Sequence, residues 1–417
     1  MAWKGGARLA PLKVPRFRAL WLGGLFSWYG DFLTIPALLI IAYKLGGEFA
    51  VGLLFVFQTG PLLALLPLGG QLGDRGDRRR RLVSLDLARA ALAALTIAGA
   101  QSHLLVILFL AVGASRSASA LYDPGRRRLV TVVLPEPMVP AGSSLLSVVS
   151  ESALVVAPAL GAVLLLFVPP TMLIAADGAT FLVSAALMAR LGHQPAVWVR
   201  RAFTRQPAWL SLRHGFHLLF FDPSTRLFSV QALLGAALSS VIQVYFVPLA
   251  RYTFGVGTNQ VGIMYIVVGA SSVLGSVVAI RRPQVRRRGL ALVGYIPLVT
   301  ATGVGLALGN IIVVAALVVF SASYALQEVW GFNRIQTTVA REGVGQTMGS
   351  ALWCVYLGRA VGAALATWGT VHLNRGVFLG LLTLCSLAVC LVITLAGPMI
   401  WRRKPTTWPP GGPPLPF

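Results

Sequence analysis

Four ionisable side chains lie deep inside apolar runs of the sequence. A charge there costs free energy, so it is expected to serve a function. They are Asp31, Arg116, Glu151 and Arg359. A charged group at membrane depth costs about 2.5–3.5 kcal/mol on insertion scales, so each is a candidate functional residue. Asp31 has no basic neighbour in its own run, and burial favours its neutral, protonated form. We therefore expect Asp31 to bind a proton or a cationic substrate; a packing aspartate at a kink beside Gly30 is the alternative.

Arg116 and Glu151 lie at similar depths in consecutive runs, so they can meet if those helices face each other. The pair would act as a switch that protonation of Glu151 opens, or as a static buried ion pair. Arg359 lies near the middle of a later run. It is a candidate to contact an anionic substrate group or to neutralise Asp31, with a backbone carbonyl or water as the alternative partner.

Other residues inside the runs carry weaker signals. Asp86 and Arg89 are one helical turn apart and are expected to pair with each other, whereas Asp177 and Glu328 lie nearer to the ends of their runs. Aromatic residues are candidates for the wall of a cavity, although aromatic side chains also form interfacial belts: Trp28, Tyr29, Tyr245, Tyr324, Trp353 and Tyr356. The three cysteines lie in apolar runs and the five histidines are scattered, so we expect no metal site.

The composition identifies the elements that position these residues. The chain has 417 residues, of which 56% are hydrophobic and 11% are charged, whereas soluble proteins carry about 25% charged residues. A membrane crossing needs about 20 apolar residues. Runs of this length predict an all-α membrane protein with twelve transmembrane helices: 20–44, 49–69, 82–101, 104–122, 142–167, 172–190, 227–250, 259–280, 289–308, 310–330, 347–369 and 376–400.

The basic residues orient these helices. The longer loops and the termini hold 29 of the 35 Lys and Arg residues, and the opposite face holds Lys44, Arg251 and Arg375. Because cytoplasmic loops carry excess Lys and Arg, both termini are predicted to be cytoplasmic. The net charge of +23 is thereby explained without a nucleic-acid partner. We expect a multi-pass protein of a bacterial-type plasma (inner) membrane.

The longest connection divides the spans into two groups of six. The predicted units are a cytoplasmic N-terminus (1–19), an N-terminal six-helix bundle (20–190), a cytoplasmic linker (191–226), a C-terminal six-helix bundle (227–400) and a Pro/Gly-rich cytoplasmic tail (401–417). Two like-oriented bundles joined by a linker are a known transporter architecture, with the binding site between the halves.

The loop after the second span carries the clearest motif. It reads Gly70-Gln-Leu-Gly-Asp74-Arg75-Gly-Asp77-Arg78-Arg-Arg-Arg, and it resembles the signature loop of the major facilitator superfamily, G-x-L-x-D-R-x-G-R-R-x-R. The loop has aspartate at 77 where the general motif has glycine. This form of the motif resembles the branch that contains macrolide-efflux and enterobactin-type siderophore exporters. Further landmarks agree with this resemblance: Phe17-Arg-x-Leu-Trp21, Gly30-Asp31, Asp86-x-x-Arg89 and Asp177-Gly-Ala-Thr-Phe181.

The resemblance implies roles for the loop and for span five. Gly70, Asp74, Arg75 and Arg78 would form a conformational latch with the start of span eleven and with Asp123, while the other loop arginines only set orientation. Span five contains Ala157-Pro158-Ala-Leu-Gly161-Ala, which is similar to the antiporter motif G-P-x-x-G-G. Pro158 would kink the helix and Gly161 would permit close packing.

The resemblance also implies a function. We expect a secondary active transporter: a proton-coupled exporter of a small lipophilic drug-like or siderophore-like compound that works by alternating access. The active form is expected to be a monomer. An importer, uniporter or lipid transporter of the same fold is the alternative, and a membrane-embedded enzyme is a remote one. The sequence has no G-x-x-x-x-G-K-[ST] loop, so the expected driving force is a proton gradient without a cofactor.

Overall fold

The computed structural model describes residues 9–72, 78–191, 208–221, 225–254, 267–275, 278, 310–338 and 341–373. Within these ranges the chain is helical and contains no strand. The predicted all-α membrane fold is confirmed. Spans nine and twelve lie outside the described residues, so the count of twelve stays a prediction, as does the division into two bundles.

Six long helices form the N-terminal half. They are α1 (Pro15–Leu33), α2 (Ile35–Leu72), α3 (Arg78–Gln101), α4 (Leu105–Val133), α5 (Val139–Leu164) and α6 (Pro170–Ala189), with short 3-10 helices at Ala10–Lys13 and Glu136–Met138. The described part of the C-terminal half contains α7 (Ala208–Phe221), α8 (Arg226–Phe254), α9 (Asn310–Thr338) and α10 (Arg341–His372), and residues 267–275 are also helical.

Five helical stretches of the described chain are long and apolar enough to cross a membrane, and the bent α5 makes a sixth. The first stretch, Pro15–Leu65, contains two predicted spans. They are separated at Gly46 and Gly47, whose backbone is not helical. Gly47 has a φ of 64°, a conformation that glycine adopts without a steric penalty. The short connection left between the predicted spans one and two, residues 45–48, therefore contains a tight turn.

Two segments differ from their predictions. The linker, predicted only as a connection, contains the helix α7. Helix α4 continues eleven residues beyond the predicted end of span four at Tyr122, to Val133. Arg126 was assigned to a basic loop, but it lies in this helix and is fully buried. The apolar run ended at Tyr122, whereas the helix itself continues because its polar residues find partners in the bundle.

Spans one and five are both irregular where they meet. The first span breaks at Thr34, between α1 and α2, and Pro36 supplies no N–H to the carbonyl four residues earlier. Helix α5 bends by 41° between residues 154 and 156, a short distance before Pro158. A Cβ on Gly161 would overlap the carbonyl oxygen of Leu33. Glycine thus lets span five pack against the backbone at the break in span one.

The apolar core is arranged unequally along the bundle. At the end remote from the N-terminus, one cluster joins both halves; it includes Leu39 and Leu54 from the first half and Val241 and Phe320 from the second. At the other end the halves have separate clusters, one around Leu20 and Tyr122 and one around Phe228 and Ala351. Within the described residues, the apolar core shared by the two halves therefore lies at the end remote from the N-terminus.

Candidate functional site

Asp31 lies at the centre of a buried charge network. It is 7% exposed and sits just before the break in span one. Its Oδ1 accepts a hydrogen bond from Arg116 Nη1 of α4 at 3.1 Å, and its Oδ2 forms an ion pair with Arg89 Nη2 of α3. Arg116 Nη2 also donates to the main-chain oxygen of Asp31 at 3.4 Å. One carboxylate therefore ties three helices together.

Arg89 connects Asp31 to a second carboxylate. The arginine is 1% exposed, and its Nη1 lies 3.4 Å from Asp86 Oδ1 and donates to Ser27 Oγ at 3.0 Å. Its guanidinium carbon also lies 3.8 Å from the ring centre of Phe181, a cation–π contact. The predicted Asp86–Arg89 pair is present, and the same arginine also pairs with Asp31.

Asp86 is fully buried and well supplied with hydrogen-bond donors. Tyr122 Oη donates to its Oδ2 at 2.9 Å, and Ser184 Oγ donates to the same oxygen at 2.7 Å. Donors aimed at a carboxylate stabilise its charged form. The helices α3, α4 and α6 are thus joined through polar side chains of a bundle that has few of them.

A third carboxylate, Asp177, completes the site from α6. It is 8% exposed, and Thr180 Oγ1 lies 3.4 Å from its Oδ1. A Cβ on Gly30 would overlap both Asp177 Oδ1 and Thr180 Oγ1. The glycine next to Asp31 is therefore what lets α6 bring its carboxyl group against α1.

These five residues, Asp31, Asp86, Arg89, Arg116 and Asp177, are called the Asp31 cluster below. A pocket opens on it, with polar lining from Asp31, Thr34, Thr96, Ser115, Arg116 and Asp177. Its volume of about 30 Å³ holds about two water molecules. The pocket is large enough for proton exchange with water and too small for a drug-sized compound.

A smaller polar site lies in the C-terminal half. A pocket of about 10 Å³ is lined by Tyr324, Gln327 and Glu328 together with apolar side chains of α8 and α10. Arg359 interacts electrostatically with Tyr324 and Glu328. The ion-pair partners of Asp31 recorded in the described chain are Arg89 and Arg116, and Arg359 is not among them.

A family model described as Major Facilitator Superfamily matches residues 20–363, which is most of the chain. The chain belongs to the major facilitator superfamily. The sequence-based prediction of this family is confirmed. An uncharacterised MFS-type transporter, YfiS of Bacillus subtilis (strain 168), is 25% identical over 398 residues that cover 91% of this chain and 92% of YfiS.

Solved structures share the fold of this major facilitator protein. A bacterial homologue of the human lysosomal transporter Spinster, in an inward-facing and unoccupied conformation, matches with a TM-score of 0.68 at 12% identity, covering 93% of this chain and 96% of that one. A bacterial homologue of the iron transporter ferroportin, in an inward-facing state, matches with a TM-score of 0.64 at 16% identity, covering 93% and 99%. At these identities the likeness shows the fold alone.

The superfamily landmarks of the first half converge in space. Gly30-Asp31, Asp86-x-x-Arg89 and Asp177-Gly-Ala-Thr-Phe181 come from three different spans, and all three contribute to the Asp31 cluster. Sequence reasoning treated Asp86, Arg89 and Asp177 as secondary because each was judged by its own helix. Their membership in two of the landmarks, beside the Gly30-Asp31 landmark, was the signal that would have grouped them with Asp31.

For Arg116 and for the latch, some of the predicted partners lie outside the described residues. The recorded partner of Arg116 is Asp31. The side chain of Glu151 is outside the described residues, so its pairing with Arg116 stays a prediction. Of the latch, Asp74 and Arg75 lie outside the described residues, as do the surroundings of Gly70 and the side chain of Arg78.

The remaining latch residue, Asp123, has a partner that the sequence did not suggest. Its Oδ1 accepts a hydrogen bond from Arg126 Nη2 at 2.6 Å, one turn along the same helix. The guanidinium of Arg126 stacks 3.4 Å from the ring centre of Trp28. Trp28 is thereby held in the core of the first half by an arginine that was predicted to be only an orientation signal.

The other candidate cavity aromatics occupy varied places. Tyr29 Oη donates to Ser152 Oγ at 3.2 Å, which links spans one and five. Tyr324 lines the smaller pocket, and Trp353 Nε1 donates to the main-chain oxygen of Leu63 at 3.2 Å. Tyr356 interacts electrostatically with Arg359. The side chain of Tyr245 lies outside the described residues.

Proposed function

We propose that this major facilitator protein is a proton-coupled exporter of small lipophilic drug-like or siderophore-like compounds that works by alternating access. The Asp31 cluster is the observation that carries the proposal. Ionisable groups are retained at membrane depth where they are used, because each one costs free energy there. Here they surround a pocket that admits water, which is the arrangement that proton exchange requires.

The geometry supports a coupling mechanism. The carboxylate of Asp31 holds α1 to α3 and α4 through two guanidiniums. A change of protonation within the cluster changes the number of carboxylates that compete for those guanidiniums, and so changes how firmly the helices are held. The energy of proton binding is thereby converted into a preference for one packing of the helices.

The packing of the two halves supports the choice of alternating access. Among the described residues, the halves share an apolar core at the end remote from the N-terminus and have separate clusters at the other end. With the N-terminus in the cytoplasm, as the loop charges predict, this arrangement is closed to the outside. The latch of Gly70, Asp74, Arg75 and Arg78 with Asp123 would hold the opposite state, in which the cytoplasmic ends are together.

Export by antiport is inferred from the sequence landmarks of the branch and from span five. Helix α5 is bent, and Gly161 approaches Leu33 closely where span five meets the break in span one. The protein would act as a monomer in the plasma membrane, with the small molecule and the lipid bilayer as its partners. The same fold serves nucleoside and peptide transporters, so substrate and direction are what the experiment must test.

Purified protein in liposomes, with a pH-sensitive dye inside, provides the test. The probes are ethidium for lipophilic cations, erythromycin for macrolides and 2,3-dihydroxybenzoic acid for siderophore-like compounds. We expect at least one probe to move protons in the opposite direction. The variant Asp31→Asn should reduce this coupled movement about tenfold or more, because it leaves two buried guanidiniums without their shared carboxylate.

The matched control is Glu136→Gln, which makes the same chemical change at an exposed carboxylate outside the cluster. It should retain wild-type coupling. Movement of a probe without any movement of protons would contradict antiport. Failure of all three probes to move would contradict the proposed substrate class.

A further inference from the structure

The charges of the Asp31 cluster do not balance if every group is ionised. Two guanidiniums, Arg89 and Arg116, face three carboxyl groups, Asp31, Asp86 and Asp177. The next guanidinium along α4, Arg126, is paired with Asp123 and is therefore already compensated. At low dielectric an uncompensated buried carboxylate is strongly unfavourable, and the group is neutralised by binding a proton.

Two of the three carboxyl groups are well compensated. Asp31 is bound by both arginines through its two oxygens. Asp86 has Arg89 beside one oxygen and the hydroxyl groups of Tyr122 and Ser184 donating to the other. These contacts compensate the negative charge of both carboxylates.

Asp177 is the group that remains. The recorded ion pairs of the described chain use both arginines on Asp31 and Asp86 and leave Asp177 with the hydroxyl group of Thr180 at 3.4 Å. Its side chain is buried between α6 and the backbone of Gly30. It also lines the water-sized pocket beside Asp31 and Arg116, so a proton on it has a route to water.

We propose that Asp177 is the carboxyl group that carries the proton in this protein, while Asp31 and Asp86 stay ionised as anchors for the two arginines. This inference rests on the proposed proton coupling. It assigns the proton to Asp177 instead of to Asp31, the carrier that the sequence led us to expect. When Asp177 releases its proton to water in the pocket, the cluster contains one negative charge more than the arginines balance.

The deprotonated Asp177 then competes with Asp31 for Arg116. Arg116 is the more accessible of the two arginines, since its side chain is 13% exposed and that of Arg89 is 1% exposed. Arg116 reaches the same pocket as Asp177. Transfer of Arg116 from Asp31 to Asp177 would loosen α4 from α1 and couple proton release to helix movement.

Infrared spectroscopy of the purified protein tests this inference without a substrate. A protonated carboxyl group has a C=O stretching band that a carboxylate lacks. At neutral pH, the wild-type spectrum minus that of Asp177→Asn should contain this band, which shifts on exchange into deuterated water. The wild-type spectrum minus that of Glu136→Gln should not contain it, because the carboxylate of Glu136 is exposed. Absence of the band from the first difference would overturn the proposal.

Two further variants leave Asp177 in place and test the charge balance. In Asp31→Asn two arginines face two carboxylates, so Asp177 should ionise and its band should disappear. In Arg116→Gln one arginine faces three carboxyl groups, so the band should grow to about twice its intensity as a second carboxyl group takes up a proton. A band that persists in the first variant, or fails to grow in the second, would contradict the assignment even if Asp177→Asn does not fold.

Transport measurements separate this inference from the proposed function. In liposomes, the exchange of ethidium by the wild-type protein should depend on pH, and exchange by Asp177→Asn should proceed without that dependence. If the wild-type protein moves a probe without protons, the proposed coupling fails whatever the infrared result. If the wild-type protein couples and Asp177→Asn couples equally well, the assignment to Asp177 fails and the proposed function stands.

Discussion

Arg126 and Arg127 are neighbours in the sequence and have opposite environments. Arg126 is fully buried, stacked on Trp28 and paired with Asp123. Arg127 is exposed, and its Nη1 lies 3.5 Å from Ser147 Oγ. A loop-charge argument treats both as orientation signals, whereas one of them is also a packing residue of the core.

We expect Arg126→Gln to lower the free energy of unfolding by about 2 kcal/mol or more, because a desolvated cation–π contact and the packing of Trp28 are lost. Thermal unfolding in detergent, followed by tryptophan fluorescence, measures the change. The matched variant Arg127→Gln removes the same charge from the surface and should alter stability by less than about 0.5 kcal/mol. Equal effects of the two variants would contradict the assigned role of Arg126.

At the scale of helices, a hydrogen bond joins the two halves, and the sequence explains why its acceptor is free. Within α2, the carbonyl of Leu63 would normally accept from the N–H of residue 67, but that residue is Pro67 and has no N–H. Trp353 Nε1 of α10 supplies the missing donor at 3.2 Å. Its ring also packs edge-on against Phe216 of the linker helix α7, with ring centres 5.4 Å apart.

Removal of this bond should weaken the packing of α2 against α10. We expect Trp353→Phe to cost about 0.6 kcal/mol and no more than about 1.7 kcal/mol, the average and the maximum measured for hydrogen bonds between membrane helices. In a Pro67→Ala background the helix regains its own donor, so the cost of Trp353→Phe should be smaller in a double-mutant cycle. Trp368→Phe is the control, because Trp368 is 53% exposed. An equal cost in both backgrounds would show that the loss arises from the ring alone.

At the scale of the whole molecule, α2 and α10 also meet near the closed end of the bundle. A Cβ on Gly52 would lie 2.7 Å from Cβ of Thr367. This contact joins the halves where they share one apolar core. In alternating access, the halves must separate here whenever the protein opens on this side.

A disulfide at this contact should therefore arrest transport. We expect the pair Gly52→Cys and Thr367→Cys, in a chain whose native Cys354, Cys385 and Cys390 are replaced by serine, to form a crosslink under mild oxidation. Disulfides need Cβ atoms about 3.5–4.5 Å apart, so a small separation of the helices is enough. Transport of ethidium should stop on oxidation and return on reduction, whereas either single cysteine should be insensitive. Undiminished transport by the crosslinked protein would contradict an opening at this end.

The sequence by itself determined most of the helices, the superfamily and two of the charges of the Asp31 cluster. Apolar runs, the turn at Gly46–Gly47 and the landmark motifs are local features, so each can be read without knowing what lies beside it. The membrane strengthens this reading, because a helix of about 20 apolar residues and a polar residue within it both stand out against lipid. Asp31 and Arg116 were identified in this way.

Only the tertiary structure decided which charges meet. Helices that are apolar on all sides do not reveal which face is turned inward, so the partners of Asp31 could not be inferred from its own span. Packing brought Arg89 and Arg116 to Asp31, and it placed Asp177 against Gly30 beside the same pocket, without a recorded ion pair to either arginine. Packing also buried Arg126 against Trp28. Whether side chains of two distant spans meet depends on how each helix is rotated about its axis and on how deep each residue lies in the membrane. The sequence of a single span does not specify both.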